Sequence, residues 1–299
     1  MTALRPHGVG TRVRCLLLGG LVACLISPLR AGADPIKVVA AENVYGDIAR
    51  QIGGANVAVK SILTSPSQDP HEFEAAVSTA RAMAEARLVI YNGVDYDPWA
   101  EKLLAVSGVA GREVIAVAQL AHKKPGDNPH LWYQPATVSV LGEVLAAKLT
   151  QLSPEHGQDY ARGLADFDIA MQRLQQRIAA LRGQYAGTPV TATEPVFDYM
   201  ADAIGLTMRN ARFQLAVMNG TEPGAGAIAA LENDLRTHAV KVLLYNRQTS
   251  QAVAERMRRI AEQAGVPVVA ITETEPSGLS YQEWMLGQLD ALDRALGGR

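Results

Sequence analysis

Two of the six histidines in this chain follow an acidic or amide residue and then a proline, in the tripeptides Asp69-Pro70-His71 and Asn128-Pro129-His130. Proline fixes its own φ angle and restricts the residue before it to extended geometry, so each imidazole is presented on a stiff loop. Two such imidazoles with oxygen-bearing neighbours are suited to binding a divalent metal ion. The alternative interpretation is that both tripeptides are turns whose histidines only bond to backbone groups.

Seven apolar, β-branched segments alternate with helical patterns along the chain. They are residues 36–41, 57–63, 88–92, 113–118, 189–193, 241–246 and 266–272. Continuous apolar runs separated by amphipathic helices are typical of parallel sheets that are covered on both faces. The pattern therefore predicts an α/β fold.

Polar candidates follow several of these predicted strands. In open α/β sheets, ligands bind beyond the carboxyl ends of the strands. His71 follows the second strand, and His130 lies in the connection after the fourth. Glu194 follows the fifth strand and Glu273 follows the seventh, although Glu275 is a rival for the same role. Two imidazoles and two carboxylates are thus predicted to converge on one cleft, unless the glutamates are ordinary strand-end residues that face solvent.

The clearest helical pattern separates the first four strands from the last three. Its apolar residues recur at spacings of four and three: Tyr160, Leu164, Phe167, Met171, Leu174, Ile178 and Leu181. Ser153 followed by proline is a start signal and Gly183 a stop signal, which predicts one long helix over residues 153–183. We expect this helix to be a rigid brace between two lobes, residues 34–152 and 184–299. The heptad-like spacing also fits a coiled-coil dimer.

The N-terminal segment has the pattern of an export signal. Three arginines precede an apolar run over residues 15–29, and the small-residue sequence Ala31-Gly32-Ala33 follows. We interpret residues 1–33 as a signal peptide that is cleaved after Ala33, since the apolar run is too short for a convincing membrane span. Residues 21–24 also match a lipobox, so a lipid anchor at Cys24 is the alternative to a periplasmic or otherwise exported protein without an anchor.

Export changes the charge and the chemistry that the chain offers. The whole chain has 28 basic and 30 acidic residues, and the leader contains four arginines and no acid. The mature chain would therefore carry a formal charge of −6, which argues against nucleic acid as a partner. Both cysteines, Cys15 and Cys24, lie in the leader, which excludes thiolate ligands and a catalytic cysteine in the mature protein.

Several of these segments together resemble one family. The stretches are residues 69–74 and 128–132, Asn92-Gly93 with Pro98-Trp99, the long central helix, and Tyr245-Asn246-Arg247-Gln248. They are similar to the metal-specific periplasmic binding proteins of ABC importers, the zinc and manganese receptors called cluster A-I. The resemblance covers essentially all of residues 35–299. It implies an α/β fold of two lobes, each with a parallel central sheet flanked by helices, joined by one long rigid helix.

The resemblance also implies one metal ion held between the lobes by four side chains. His71 and His130 match the first two ligands of the family. Glu194 occupies the third position. Zinc receptors typically have a histidine at this position, whereas manganese and iron receptors resemble this chain there. Glu273 aligns with the fourth ligand, which is usually an aspartate. The chain departs from the family after the second histidine, where Tyr133-Gln134-Pro135 lacks the acidic residue that commonly precedes the proline.

The identity of the metal follows from the donor atoms. Two imidazoles and two carboxylates form a mixed nitrogen and oxygen shell, and oxygen-rich sites suit Mn²⁺ or Fe²⁺, whereas raw affinity favours Zn²⁺ over Mn²⁺. The histidine-rich loop common in zinc receptors is missing, because His122 is the only histidine among residues 119–127. We therefore favour Mn²⁺, with Zn²⁺ as the close second and Fe²⁺ as a third candidate.

The expected function is that of a monomeric exported receptor, not an enzyme, that delivers its ion to the membrane permease of an ABC importer. Two alternatives use the same residues. A metal-dependent hydrolase could bind its metal through His71, His130 and Glu194 while keeping an open coordination position. A receptor for a metal chelate would need an aromatic cleft, which the low aromatic content does not favour.

Overall fold

The computed structural model of the protein describes residues 1–5, 7–10, 34–66 and 73–297. Most of the predicted signal peptide, with Cys24 and the predicted cleavage site, lies outside the described residues. The tripeptide that contains His71 lies outside them too. Within the described ranges, no helix combines the length and the apolar character needed to cross a membrane.

The first sheet is parallel and has the strand order β2-β1-β3-β4. Its strands are β1 (Ile36–Glu42), β2 (Val57–Leu63), β3 (Leu88–Tyr91) and β4 (Glu113–Ala116). The helices that accompany it are α1 (Asn43–Gly53), α2 (Val77–Glu85), α3 (Pro98–Val106), α4 (Val117–Leu120) and α5 (Pro135–Leu152), and α6 (Gly157–Tyr185) follows them. In the sheet, Val38 of β1 lies opposite Val59 on one side and Leu88 on the other. Because β1 and β3 are central and covered by helices, almost all of their residues are buried.

The second sheet repeats this arrangement with the order β6-β5-β7-β8. Its strands are β5 (Pro189–Ala192), β6 (Thr207–Arg209), β7 (Leu243–Asn246) and β8 (Val268–Ile271). Its helices are α7 (Asp198–Ile204), α8 (Ala211–Met218), α9 (Ala225–Arg236), α10 (Ala252–Ala264) and α11 (Tyr281–Leu296). All pairings in both sheets are parallel, so the carboxyl ends of the strands in each sheet lie at one edge.

The seven predicted strands are confirmed, most of them with trimmed ends. The eighth, β6, was not predicted from the sequence. It has only three residues, Thr207–Arg209, and both of its ends are exposed. A short edge strand of this kind needs no apolar run, so the hydrophobic pattern contains no signal for it.

The long helix α6 is an intramolecular brace. Six of the seven residues of its predicted apolar stripe are buried, and Leu164 packs partly buried against the same core. The helix packs against α1 and α5, which precede it in the sequence, and against α7 and α11, which follow it. One hydrophobic core runs through it and contains residues of both sheets, such as Ile90 and Val190. Since the chain itself covers the stripe, the coiled-coil interpretation is not needed to explain the pattern.

The helical segment runs from Pro154 to Tyr185, one residue later at its start and two later at its end than the predicted range of 153–183. A 3-10 turn over Pro154–His156 precedes the α-helix, and the Ser153 hydroxyl donates to the Glu155 carboxylate at 2.6 Å instead of capping a backbone amide. The helix passes through Gly183 and ends at Tyr185, whose hydroxyl donates to Asp293 at 2.6 Å. A single glycine in an exposed helical turn costs about 1 kcal/mol, which the neighbouring packing and this bond offset.

Replacing Gly163 with alanine should destabilise the protein, although alanine normally favours a helix. A Cβ atom at position 163 would lie 2.3 Å from the backbone oxygen of Ile52 in α1, so the two helices would have to separate. We expect the free energy of unfolding to fall by about 1–3 kcal/mol, measured by urea denaturation of residues 34–299.

Gly183→Ala is the matched control in the same helix, because a Cβ atom there meets nothing within 4 Å. This variant should gain about 0.5–1 kcal/mol from helix propensity. Equal effects of the two substitutions would contradict the close approach of α6 to α1.

Candidate metal centre

His130 is fully buried in the connection between α4 and α5. The Asn128 side-chain oxygen lies 2.7 Å from the Nδ1 atom of the ring and accepts the backbone N–H of His130 at 3.1 Å. The amide group of Asn128 is oriented by its own donation to the Pro195 carbonyl at 2.6 Å. Because an amide oxygen can only accept, Nδ1 carries a proton that it donates to Asn128, and in the neutral form of the ring Nε2 would present its lone pair to the site.

Two buried carboxylates from the second sheet converge near this imidazole. One residue separates Glu194 from the end of β5, and one separates Glu273 from the end of β8; both glutamates are at most 5% exposed. The Glu273 Oε2 atom lies 3.3 Å from the Nε2 atom of His130. The side-chain amide of Asn246 donates to Glu194 Oε2 at 3.1 Å and to Glu273 Oε1 at 2.7 Å, so it links the two carboxylates. The imidazole of His130 therefore contacts Glu273, and Asn246 connects Glu273 with Glu194. Within the described residues, no group of three His, Cys, Asp or Glu side chains is arranged to hold a metal ion by itself.

Aromatic side chains surround the imidazole and exclude water from it. The ring of Tyr96 lies 6.0 Å from that of His130 and 5.0 Å from that of Trp132, in edge-to-face contacts. Burial, and then the nearby charge of Glu273, raise the pKa of Tyr96 well above its usual range. Tyr96 is therefore a phenol at every physiological pH, and it donates to Glu273 Oε2 at 3.0 Å.

The loop that follows β8 is held by a side chain from the loop that follows β7. The Gln248 side-chain oxygen accepts the backbone N–H groups of Glu273 and Thr274 at 2.7 and 3.0 Å. The backbone N–H of Gln248 in turn donates to the side-chain oxygen of Asn246 at 3.1 Å. The backbone position of Glu273 is thus fixed by the same segment that supplies the linking amide.

The loop that carries His130 is bonded to the second lobe on both sides of the histidine. Tyr199 donates its hydroxyl to the Asn128 carbonyl at 2.8 Å, and Tyr281 donates to the Trp132 carbonyl at 2.8 Å. The Tyr133 hydroxyl lies 2.7 Å from the carbonyl of Thr272, the residue before Glu273. These bonds fix the distance between the imidazole and the carboxylates.

A second acidic pair lies behind the loop of His130. Asp97 accepts the backbone N–H groups of Asn92 and Gly93 at 2.6 and 2.7 Å, and burial raises its pKa to about 6. Burial, and then the charge of Asp97, raise the pKa of Glu42 well above its usual range. The Asn92 side chain donates to the Pro129 carbonyl at 2.8 Å, so this cluster supports the loop.

Of the predicted site residues, His130 and Glu273 lie in contact, and Glu194 is linked to Glu273 through Asn246. His71 lies outside the described residues. The rival of Glu273 faces a different surface: Glu275 lines a polar cavity of about 480 Å³ together with Asp47 and Arg50. The side chain of Asn43 bonds to the backbone of Glu275 in both directions, at 2.7 and 3.2 Å.

Sequence reasoning did not identify Asn246 or Tyr96 as site residues. Asn246 is the last residue of β7, so the rule that ligands bind beyond the carboxyl ends of strands could have found it. Tyr96 carries no comparable signal, because a left-handed turn through Val94 and Asp95 brings it to the site. The other described histidines after residue 33 lie elsewhere: His122 and His238 are exposed, and His156 pairs with Asp159.

The family described as the periplasmic component A of the zinc-uptake complex matches residues 38–295 of this chain. The chain belongs to this family. Its members are the substrate-binding components of metal ABC transporters and not enzymes, so the protein is a metal-binding transport component.

Individual relatives are similar over nearly their whole length. The metal ABC transporter substrate-binding lipoprotein FimA of Streptococcus parasanguinis is 24% identical over 306 residues, which cover 94% of this chain and 95% of the relative. The manganese ABC transporter substrate-binding lipoprotein PsaA of Streptococcus mitis is 23% identical over 303 residues, covering 92% and 94%.

Two solved structures share the fold. The periplasmic zinc-binding protein TroA of Treponema pallidum has a TM-score of 0.75 at 16% identity, covering 89% of this chain and all of that chain. A crystal structure of ZnuA has a TM-score of 0.70 at 22% identity, covering 88% and 98%. Both likenesses confirm the predicted fold of two lobes with parallel sheets joined by a long helix.

Replacing Glu275 with glutamine should flatten the pH dependence of stability. Burial, and then the charge of Asp47, raise the pKa of Glu275 from 4.5 to about 9. The folded state therefore holds this proton more tightly than the unfolded state, and the resulting stability is full below about pH 4.5 and is lost as the pH rises toward 9. Thermal melting of the variant between pH 5 and 9 should show a smaller loss of stability than that of the wild type.

Glu222→Gln, at an exposed glutamate, is the control and should keep the wild-type slope. The same slope in Glu275→Gln as in the wild type would show that Glu275 is ionised in the folded protein.

Proposed function

We propose that the protein captures one divalent transition-metal ion between its lobes and delivers it to the permease of an ABC importer. The observation that supports this most directly is the contact of His130 Nε2 with Glu273 Oε2 at 3.3 Å, beside Glu194 and deep in the interior. A buried imidazole that presents its lone pair to carboxylates is a ready set of metal donors. Burying these groups is costly without a cation, so a bound ion would stabilise the arrangement.

We propose His71, His130, Glu194 and Glu273 as the four ligands. His71 enters this set through its tripeptide, and the other three through their positions in the fold. Four protein ligands fill the shell of a tetrahedral ion and leave no position open for a substrate, which suits capture and release better than catalysis. The hydrolase alternative has no support in a family of binding proteins.

The cargo is a bare ion in this proposal. His130 is fully buried, and its ring lies 5.5 Å from that of Trp132, so the centre is packed too closely for a chelate such as a siderophore. Because the donor set mixes nitrogen with oxygen, we propose Mn²⁺ as the favoured ion, with Zn²⁺ as the close second and Fe²⁺ as a third candidate.

We further propose that the mature receptor begins after residue 33 and is exported as a monomer. Its lobes would comprise residues 34–152 and 184–299, with the brace between them. A lipid anchor at Cys24 is the alternative to a periplasmic protein. The formal charge of −6 of the mature chain disfavours nucleic acid as a partner.

Replacing His130 with alanine should abolish tight metal binding while residues 34–299 remain folded. Elemental analysis of the stripped and reloaded wild type should give one equivalent of metal, and titration calorimetry should give an affinity at least roughly 100-fold higher than that of the variant. His71→Ala should behave in the same way.

His238→Ala removes an exposed histidine and should bind metal like the wild type. Stoichiometric, tight binding in His130→Ala would rule out the proposed ligand set. Absence of metal from the wild type under all conditions would rule out the proposed function.

Glu194→His should shift the preference of the site toward Zn²⁺, because a third imidazole makes the donor set softer. Competition between Zn²⁺ and Mn²⁺ for the variant and the wild type measures this shift as a ratio of dissociation constants. An unchanged ratio would show that Glu194 does not bind the metal.

A further inference from the structure

Glu42 is the last residue of β1, and its carboxyl group lies in the interior of the first lobe. The residue is only 2% exposed, and within the described residues neither of its side-chain oxygens accepts a hydrogen bond of good geometry. An ionised carboxylate can only accept, so burying one without donors is very costly. A neutral carboxylic acid avoids this cost, because it carries a hydrogen of its own that it can donate.

The neighbour of this carboxyl group is Asp97, which is fully buried and has donors. Asp97 accepts the backbone N–H groups of Asn92 and Gly93 at 2.6 and 2.7 Å, and its carboxyl group also shares a hydrogen-bonding contact with Glu42. Asp97 is therefore the better of the two acids at holding a negative charge, and Glu42 is the better at holding a proton. A hydrogen bond from the Glu42 carboxylic acid to the Asp97 carboxylate satisfies both groups.

The other titratable groups around this pair are phenols. Tyr45 of α1 and Tyr96 face Glu42, and Tyr91 of β3 faces Asp97. Burial, and then nearby carboxylates, raise the pKa of each phenol, so none of the three is charged at neutral pH. None of the main causes of the pKa shifts of the two carboxyl groups is a cation of the described residues. Two negative charges would repel each other here, whereas one shared proton prevents this.

Asn92 connects the pair to the loop of His130. This asparagine directly follows β3 and is fully buried. Its side-chain amide donates to the carbonyl of Pro129, the residue before His130, at 2.8 Å. Because Asp97 binds the backbone N–H of the same asparagine, a movement of Asp97 would displace the amide that supports the loop.

The turn that Asp97 closes is strained. Val94 and Asp95 have left-handed backbone conformations, with φ angles of 56° and 60°, which are costly for residues other than glycine and most of all for a β-branched one. The two backbone bonds to Asp97 hold the turn in this conformation. The turn carries Tyr96, whose ring lies 6.0 Å from that of His130.

We propose that Glu42 is a positioning residue that keeps its proton in the folded protein, donates a hydrogen bond to Asp97 and so holds the loop of His130 in its metal-binding position. This inference rests on the proposed function, because it takes His130 as a metal ligand. Loss of the proton would place two like charges side by side in the interior, and the pair would separate. Separation would release the strained turn and the support of the Pro129 carbonyl, and the affinity for metal would fall.

The test compares Glu42→Gln and Glu42→Leu with the wild type, in residues 34–299. Glutamine is close in shape to the carboxylic acid and offers an N–H group to Asp97, but it cannot ionise. Leucine is similar in size and has no hydrogen to donate. Glu143→Gln is the matched control, since Glu143 is an exposed glutamate of α5 in the same lobe.

Two readouts follow the metal and the proton separately. The dissociation constants for Mn²⁺ and for Zn²⁺ at pH 7, measured by calorimetric competition, should stay within about twofold of the wild type in Glu42→Gln and in the control, and should rise at least about tenfold in Glu42→Leu. In metal-free protein, the infrared difference spectrum between the wild type and Glu42→Gln should contain a carboxylic acid C=O band that shifts in D₂O. Other protonated carboxyl groups are common to both proteins and cancel.

Wild-type affinity in folded Glu42→Leu would overturn the inference, and so would an affinity of Glu42→Gln as weak as that of Glu42→Leu, since the donated hydrogen would then not matter. Absence of the carboxylic acid band would also overturn it, even if Glu42→Leu does not fold, because Glu42 would then be ionised. A wild type that binds no metal would instead refute the proposed function, and the inference with it, whatever the infrared spectrum shows.

Discussion

Two carboxylates and an imidazole are buried together at the centre of this protein, and that arrangement depends on the amide of Asn246. Like charges at close range in a low-dielectric interior repel each other strongly, so each needs a donor. Asn246 supplies a hydrogen to Glu194 and to Glu273, and Tyr96 supplies one to the other oxygen of Glu273. The remaining features of the site serve to hold these donors in place.

The long helix and its shared core give the site its fixed dimensions. The imidazole belongs to the first lobe and the carboxylates to the second, so any change in the lobe-to-lobe distance alters the spacing of the donors. One continuous core through α6 resists such a change, because protein interiors are close-packed and transmit strain. The close approach of Gly163 to the backbone of Ile52 is one consequence of this packing.

Hydrogen bonds at the carboxyl ends of the strands complete the connection between the lobes. The residues next to the candidate ligands carry these bonds: the Pro195 carbonyl accepts from Asn128, and the Thr272 carbonyl lies 2.7 Å from the Tyr133 hydroxyl. A metal ion at this point would therefore be sensed by both lobes without a large motion.

The sequence by itself determined the features that depend on local chemistry. The proline before His130 predicted a stiff loop, the apolar stripe predicted α6, and the apolar runs predicted seven of the eight strands of the described residues. Each of these signals lies within a few neighbouring residues. Only the tertiary structure decided which of Glu273 and Glu275 lies beside His130, since the two are only two residues apart and differ in their long-range partners. The contacts of Asn246 could not be predicted from the sequence either, because the two carboxylates that it binds, Glu194 and Glu273, are distant from it in the chain.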